Sequence, residues 1–244
     1  MEEVGKFLFG SQNCQLDGPD SDRDYKVVMM PSFHDLYVKH EVGRGDLPEQ
    51  YNDDHEHFGV TDVRDFSKRV LQGNVNYVEY LFSCDCTYNY PDFAAYCDAA
   101  RDLFKDGYLA VVWPTFYKSL FGLVHNTLKR YPGQRKGLVR SFYYYLLCAT
   151  VSTGDFSMTQ KTWRYGVWQK CLQQMRFDES YKVPSEAELR VWFSQLEETT
   201  RKRAEDWCEK RPDKVLNLNA RADHLRKSME EFVKKEMLRD CGVV

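Results

Sequence analysis

Between Lys6 and Met30 the chain reads KFLFGSQNCQLDGPDSDRDYKVVMM, and this stretch narrows the fold more than any other. A short apolar run leads into Gly10-Ser11 and then a polar loop. Carboxylates follow at Asp20, Asp22 and Asp24, and then a second apolar run. Tyr25 to Met30 is rich in apolar and β-branched residues and stops at Pro31, which predicts a buried strand. On a strand, residues i and i+2 share a face, so Asp22 and Asp24 point the same way and Asp20 with them. Two carboxylates side by side repel each other unless a cation sits between them. Such a pair on a strand edge is a common way to hold Mg²⁺ against a phosphate. Upstream, Gly10 lets the backbone come close to a ligand, so that its N–H groups can face an anion. An anion cradle and a metal pair are the parts needed to bind and activate a nucleoside triphosphate.

Gly10-Ser11 followed by Ser21-Asp22-Arg23-Asp24 resembles the active-site signature of the DNA polymerase β-type nucleotidyltransferase superfamily. The longer form GSQNCQLDGPDSDRDYKVV is similar to one branch of it, the RNA-repair-associated nucleotidyltransferases of bacteria and phages. The segment DVRDFSKRVLQGNVNYVEYLFS, residues 62–83, resembles the helix, Gly-Asn turn and Glu-x-Leu-Phe run that follow the catalytic core in that branch. The resemblance implies an α+β fold: a nucleotidyltransferase core over 1–90, with a small mixed β-sheet flanked by helices, and a helical C-terminal region over 91–244 that binds nucleotide or acceptor. It implies Mg²⁺ (or Mn²⁺) on Asp22 and Asp24, with the β and γ phosphates of an NTP on Gly10 and Ser11. The implied reaction moves a nucleoside monophosphate to an acceptor, an RNA (tRNA) 3′ end, and releases pyrophosphate.

The superfamily usually adds a third carboxylate on a later strand, as metal ligand and base. Counting back from Gly73-Asn74 puts that position at His57, where no acid stands. Asp54, Glu56 and Asp62 are its acidic neighbours, and Glu56 is the nearest and the expected third catalytic residue. A one-residue offset turns a side chain to the other face unless a bulge intervenes. His57 itself is the rival for the role of base. The helix from Arg135 resembles the family's basic element facing nucleotide or acceptor. Lys136 and Arg140 are its expected nucleotide-binding residues, one turn apart on one face.

Charge is spread unevenly. Net charge is −3, so no global basic signature for nucleic acid exists. Residues 17–65 are dense in Asp and Glu, whereas Gly107 to Gly154 holds no acid and carries Lys118, Lys129, Arg130, Arg135, Lys136 and Arg140. A site for Mg²⁺ and polyphosphate needs both signs; an ordinary surface dipole produces the same pattern. Aromatic residues make up 15% of the chain, too many for a disordered one. The N-terminus MEEVGKF lacks the basic start and long apolar core of a leader. No apolar run approaches the ~20 residues of a membrane span. The 8 cysteines are therefore read as reduced, in a cytoplasmic protein (host cytoplasm if viral) with no membrane partner. Cys84, Cys86 and Cys97 do not have the spacing of a standard zinc module.

The rest of the chain reads as helices. Val63, Phe66, Val70 and Leu71 recur at helical spacing up to Gly73, and Asn76 to Phe82 is a short helix or strand. Helices are expected over 92–106, 115–130, 136–152 and 159–175. Another is expected from the capping box Ser185-Glu-Ala-Glu188 to about Lys210, and a last one over 219–239. The Tyr and Trp residues of 142–168 suit either a core or base stacking. Rival functions remain: a protein- or small-molecule-modifying, toxin-like nucleotidyltransferase, or an inactive relative that binds nucleotide or RNA.

Overall fold

The computed structural model describes residues 1–18, 21–32, 47–51, 56–159 and 168–242. It is a mixed α and β structure. The strands are β1 (Glu2–Phe9), β2 (Arg23–Met30), β3 (Leu47–Tyr51), β4 (Glu56–Asp62) and β5 (Cys86–Tyr88). They form one sheet in the order β3-β4-β2-β1-β5. Only β2 and β4 are parallel; β1–β2, β1–β5 and β3–β4 are antiparallel. The expected strand at Tyr25–Met30 is β2, extended back to Arg23. The chain falls into two compact units. The first is Met1–Leu71, Asn76–Leu103 and Asn219–Val244, and the second is Gln72–Val75 and Phe104–Leu218.

In the first unit the sheet carries α1 (Gly10–Asn13), α2 (Val63–Leu71) and α3 (Val75–Leu81). Val63, Phe66 and Val70 are buried, as their spacing requires. Phe7 of β1 lies at the centre. Its ring stacks on Phe66 at 5.4 Å and Tyr80 at 6.5 Å, and meets the edges of Tyr88 at 5.8 Å and Phe93 at 6.3 Å. Phe93 opens the apolar face of α4 (Pro91–Lys105). This aromatic packing explains why residues up to Leu103 group with the sheet, beyond the boundary expected at residue 90. The C-terminal helix joins them: Phe232 meets the edge of Tyr90 at 5.5 Å, and Lys235 pairs with Asp92 at 3.0 Å. On the opposite pleat of the sheet, the Lys6 ammonium sits 3.7 Å above the Tyr25 ring, which stacks on Phe58 at 5.9 Å.

The second unit is helical. It holds α5 (Tyr108–Val111), α6 (Trp113–Arg130), α7 (Arg135–Val151), α8 (Gln169–Phe177) and α9 (Glu186–Glu209). Its core gathers Trp113, Phe116 and Phe156 from α6 and the segment after α7. Tyr143 and Tyr144 are fully buried, so those two tyrosines belong to the core and not to a stacking surface. The expected helix over 159–175 is seen only as α8, because residues 160–167 lie outside the described residues. Ser185 caps α9 with both arms of the capping box, to Glu188 N and from its own N–H to the Glu188 carboxylate.

A further boundary differs from expectation. Helix α10 runs Pro212–Asp240, starting well before residue 219. Proline breaks a helix from within but suits its first position, where its N–H has no partner to lose. Pro212 therefore ends α9 and begins α10. No described helix is long and apolar enough to cross a membrane.

All the cysteines are free. Cys97 and Cys148 are wholly buried, and burial pushes both thiols well above their ordinary range. Cys84 and Cys241 are exposed. Iodoacetamide at mildly alkaline pH is expected to label Cys84 and Cys241 first, and Cys97 and Cys148 only after denaturation, as read by peptide mass spectrometry. Phe7→Ala removes the hub of the sheet core and should cost about 3–5 kcal/mol in urea unfolding.

Candidate active site

The site is built where β1 ends. Phe9 is extended, with φ −140° and ψ −172°, and Gly10 then turns to φ +75° to open α1. That left-handed conformation favours glycine. Space demands it as well: a Cβ on Gly10 would stand 2.6 Å from Asp24 Oδ2. The Gly10 backbone therefore rests directly on the Asp24 carboxylate. Sheet register explains the meeting, since Phe9 is opposite Asp24 in the antiparallel β1–β2 ladder.

The same register settles the neighbours of Asp24 on the other side. In the parallel β2–β4 ladder Asp24 stands beside His57, and Arg23 beside Glu56. His57 Nδ1 lies 3.0 Å from Asp24 Oδ1. The His57 side chain is 16% exposed and that of Asp24 29%, so solvent still reaches the pair. The ladder between β2 and β4 runs without a shift, and no bulge brings Glu56 onto the Asp24 face. Glu56, the expected third catalytic residue, thus keeps step with Arg23, and His57 holds the place beside Asp24. Asp62 is at the far end of β4, opposite Met29. It accepts from Arg64 N at 2.8 Å and pairs with the Arg64 guanidinium at 2.6 Å, which makes it a cap for α2. Asp20 and Asp54 lie outside the described residues.

Asp22 is exposed, just before β2 begins. Ser21 ties this segment to the turn: Gln12 Nε2 donates to Ser21 O at 3.4 Å, and Gly18 N donates to Ser21 Oγ at 2.8 Å. Ser11 is partly exposed within α1, and its carbonyl accepts from Leu16 N at 2.7 Å. Lys136 and Arg140 belong to α7 of the second unit. Lys136 is exposed, with its ammonium 5.4 Å from the Tyr131 ring centre. Arg140 Nε donates to Tyr144 Oη at 3.3 Å.

Beneath α1 lies a polar support whose carboxylate is the Glu of the Glu-x-Leu-Phe run, Glu79, in a role the motif does not reveal. Asn13 is 1% exposed and Glu79, on α3, 2% exposed. Asn13 Nδ2 donates to Glu79 Oε1 at 3.5 Å, and Cys14 Sγ lies 3.6 Å from the same oxygen. Asn13 Oδ1 accepts from Cys84 N at 3.0 Å. A buried carboxylate persists only where such donors reach it. The sequence signal was an acid set inside the apolar run Val75–Phe82. Lys26 went unread. It is buried on the Asp24 face of β2, its Nζ 3.5 Å from where a Cβ would stand on Gly59.

Among the described residues, no group of three or more His, Cys, Asp or Glu is placed to hold a metal ion. Mg²⁺ needs no such cage. It keeps most of its waters and is usually held by one or two carboxylates together with substrate phosphates. Asp24, partly exposed and flanked by the Gly10 backbone, fits that mode, with Asp22 two residues before it. His57 does not fit as a Mg²⁺ ligand, since imidazole suits softer metals. No known protein-family model matches the chain, and comparison with curated proteins finds no match.

Gly10 and Gly133 both have positive φ, but a Cβ on Gly133 meets open space. Gly→Ala at either should cost about 1 kcal/mol for the backbone alone. Gly10→Ala should cost about 1–3 kcal/mol more, for displacing Asp24. Paired urea titrations of the two variants check this difference.

Proposed function

We propose that this chain is a metal-dependent nucleotidyltransferase with the β-type nucleotidyltransferase core. In this reading it moves a nucleoside monophosphate from an NTP to the 3′ end of an RNA, a tRNA above all. The observation that carries the reading is the seat of Gly10 on the Asp24 carboxylate. It makes one site of two motifs that lie apart in the chain, a phosphate-facing turn and a metal-binding strand. The acceptor rests on the resemblance of residues 10–24 and 62–83 to the RNA-repair-associated branch.

The residues divide the work by chemistry. The backbone N–H groups of the Gly10-Ser11 turn and the Ser11 hydroxyl would meet the β and γ phosphates. Asp22 and Asp24 would hold Mg²⁺ or Mn²⁺. The bound metal supplies charge neutralisation on the triphosphate and a lowered pKa for the attacking hydroxyl. His57 orients the Asp24 carboxylate through its Nδ1. Asn13 and Glu79 hold the turn from below. In the reaction the acceptor oxygen bonds to the α-phosphorus as the bond to the departing pyrophosphate breaks.

A second reading is favoured by His57. It stands beside Asp24, where the resemblance implies a carboxylate, so the chain would bind nucleotide without turning it over. Incubation with each labelled NTP, Mg²⁺ or Mn²⁺ and total tRNA separates the two. Under the first reading, label enters tRNA and falls by a factor of about 10² or more in Asp22→Ala and Asp24→Ala. Activity that survives both substitutions would end the proposal. Label on protein would point to a protein-modifying enzyme. NTP binding without transfer, with transfer gained in His57→Asp, would establish the second reading.

A further inference from the structure

We infer that the α6–α7 hairpin of the second unit is a docking surface for the phosphate backbone of single-stranded RNA. The inference deepens the function proposed above by naming where the acceptor chain is held. It rests on that reading only for the identity of the acceptor.

The first observation is a charge that nothing on the hairpin balances. Gly107 to Gly154 contains no acid. Lys118, Lys129, Arg130 and Lys136 are all exposed, and none of them forms an ion pair among the described residues. Helix α9 of the same unit differs in having acids among its cations. On α9, Arg190 pairs with Glu186 at 2.7 Å, and Arg201 pairs with Glu198 at 2.8 Å and Glu205 at 2.7 Å. Those two cations are matched one turn away, the ordinary pattern of a solvated helix, while Lys202 and Arg203 of α9 form no ion pair among the described residues. On the hairpin no acid stands one turn from Lys118, Lys129, Arg130 or Lys136, so an anion from outside can meet them.

The second observation is their geometry. Lys118, Gly122, His125 and Lys129 follow at i, i+4, i+7 and i+11, which places them in one stripe along α6. Lys118 and Lys129 are about 16 Å apart along the axis. Between them Gly122 opens a gap, with no atom within 4 Å of a built Cβ. Phe121 borders the stripe and is 39% exposed. At the hairpin tip the Tyr131 ring has Arg130 at 5.5 Å and Lys136 at 5.4 Å from its centre. Cations in a line beside an exposed ring, with a half-buried ring at the tip, are the parts of a single-strand site, where phosphates meet the charges and unpaired bases stack. Arg135 is not among them. Its guanidinium donates to the carbonyls of Met175, Asp178 and Tyr181 and closes the end of α8.

The test is fluorescence anisotropy of the full-length protein with a labelled oligouridylate across a salt series. Wild type is expected to bind, with log K falling by about 0.7 per decade of salt for each phosphate neutralised. Lys118→Glu/Lys129→Glu and Arg130→Glu/Lys136→Glu should each weaken binding about tenfold or more and flatten the slope by about 1.4. Arg190→Glu, on the paired helix, should leave it unchanged, and circular dichroism checks that each variant folds. Asp24→Ala should bind as wild type does, so a failure of nucleotidyl transfer does not touch this inference. No binding of the oligouridylate, wild-type affinity in both double variants, or tighter binding to duplex DNA or to phosphatidylserine vesicles would overturn it.

Discussion

Gly10 touches the Asp24 carboxylate because two strands pair in one register, and the rest of the candidate site follows from that contact. With Phe9 opposite Asp24, the chain must leave β1 beside the carboxylate, and only a residue without a side chain fits there. The parallel ladder to β4 then sets His57 against the other oxygen. Asp24 is gripped between a backbone on one side and an imidazole on the other. A carboxylate so held is pre-oriented.

That arrangement is propped by burial. Phe7, two residues before Phe9 on the same pleat, anchors β1 in a cluster of rings from α2, α3, α4 and β5. A slip of one residue would take Phe7 out of the core and Phe9 away from Asp24 together. The apolar core and the polar site thus depend on one register. Beneath the turn, Glu79 and Asn13 exchange a buried hydrogen bond. Leaving either group unpartnered there would cost more than the bond itself contributes.

Much of this was legible locally. The run Tyr25–Met30 ending at Pro31 marked β2, and the Val63, Phe66 and Val70 spacing marked α2. Ser185 and Glu188 announced α9. These signals lie within a few residues of what they specify. The signals that were misread act over distance or have two meanings. Pro212 is a helix breaker from one side and a helix starter from the other. The grouping of α4 and the C-terminal helix with the sheet depends on Phe93 and Phe232 finding Phe7 and Tyr90, which no spacing along the chain reveals. The structural role of Glu79, the acid of the Glu-x-Leu-Phe run, is hidden because its partners Asn13 and Cys14 lie far from it in the chain.

By itself the amino-acid sequence determined that a Gly-Ser turn precedes a carboxylate-bearing strand. It also determined that a helical region follows, with one acid-free stretch. These properties are set by residue type and short-range periodicity. Only the tertiary structure decided which residue stands beside Asp24. Counting along the chain points to His57 and the need for an acid points to its neighbour Glu56, and the pleat sends the two to opposite faces. The β2–β4 register, fixed by burial of both strands, chose His57.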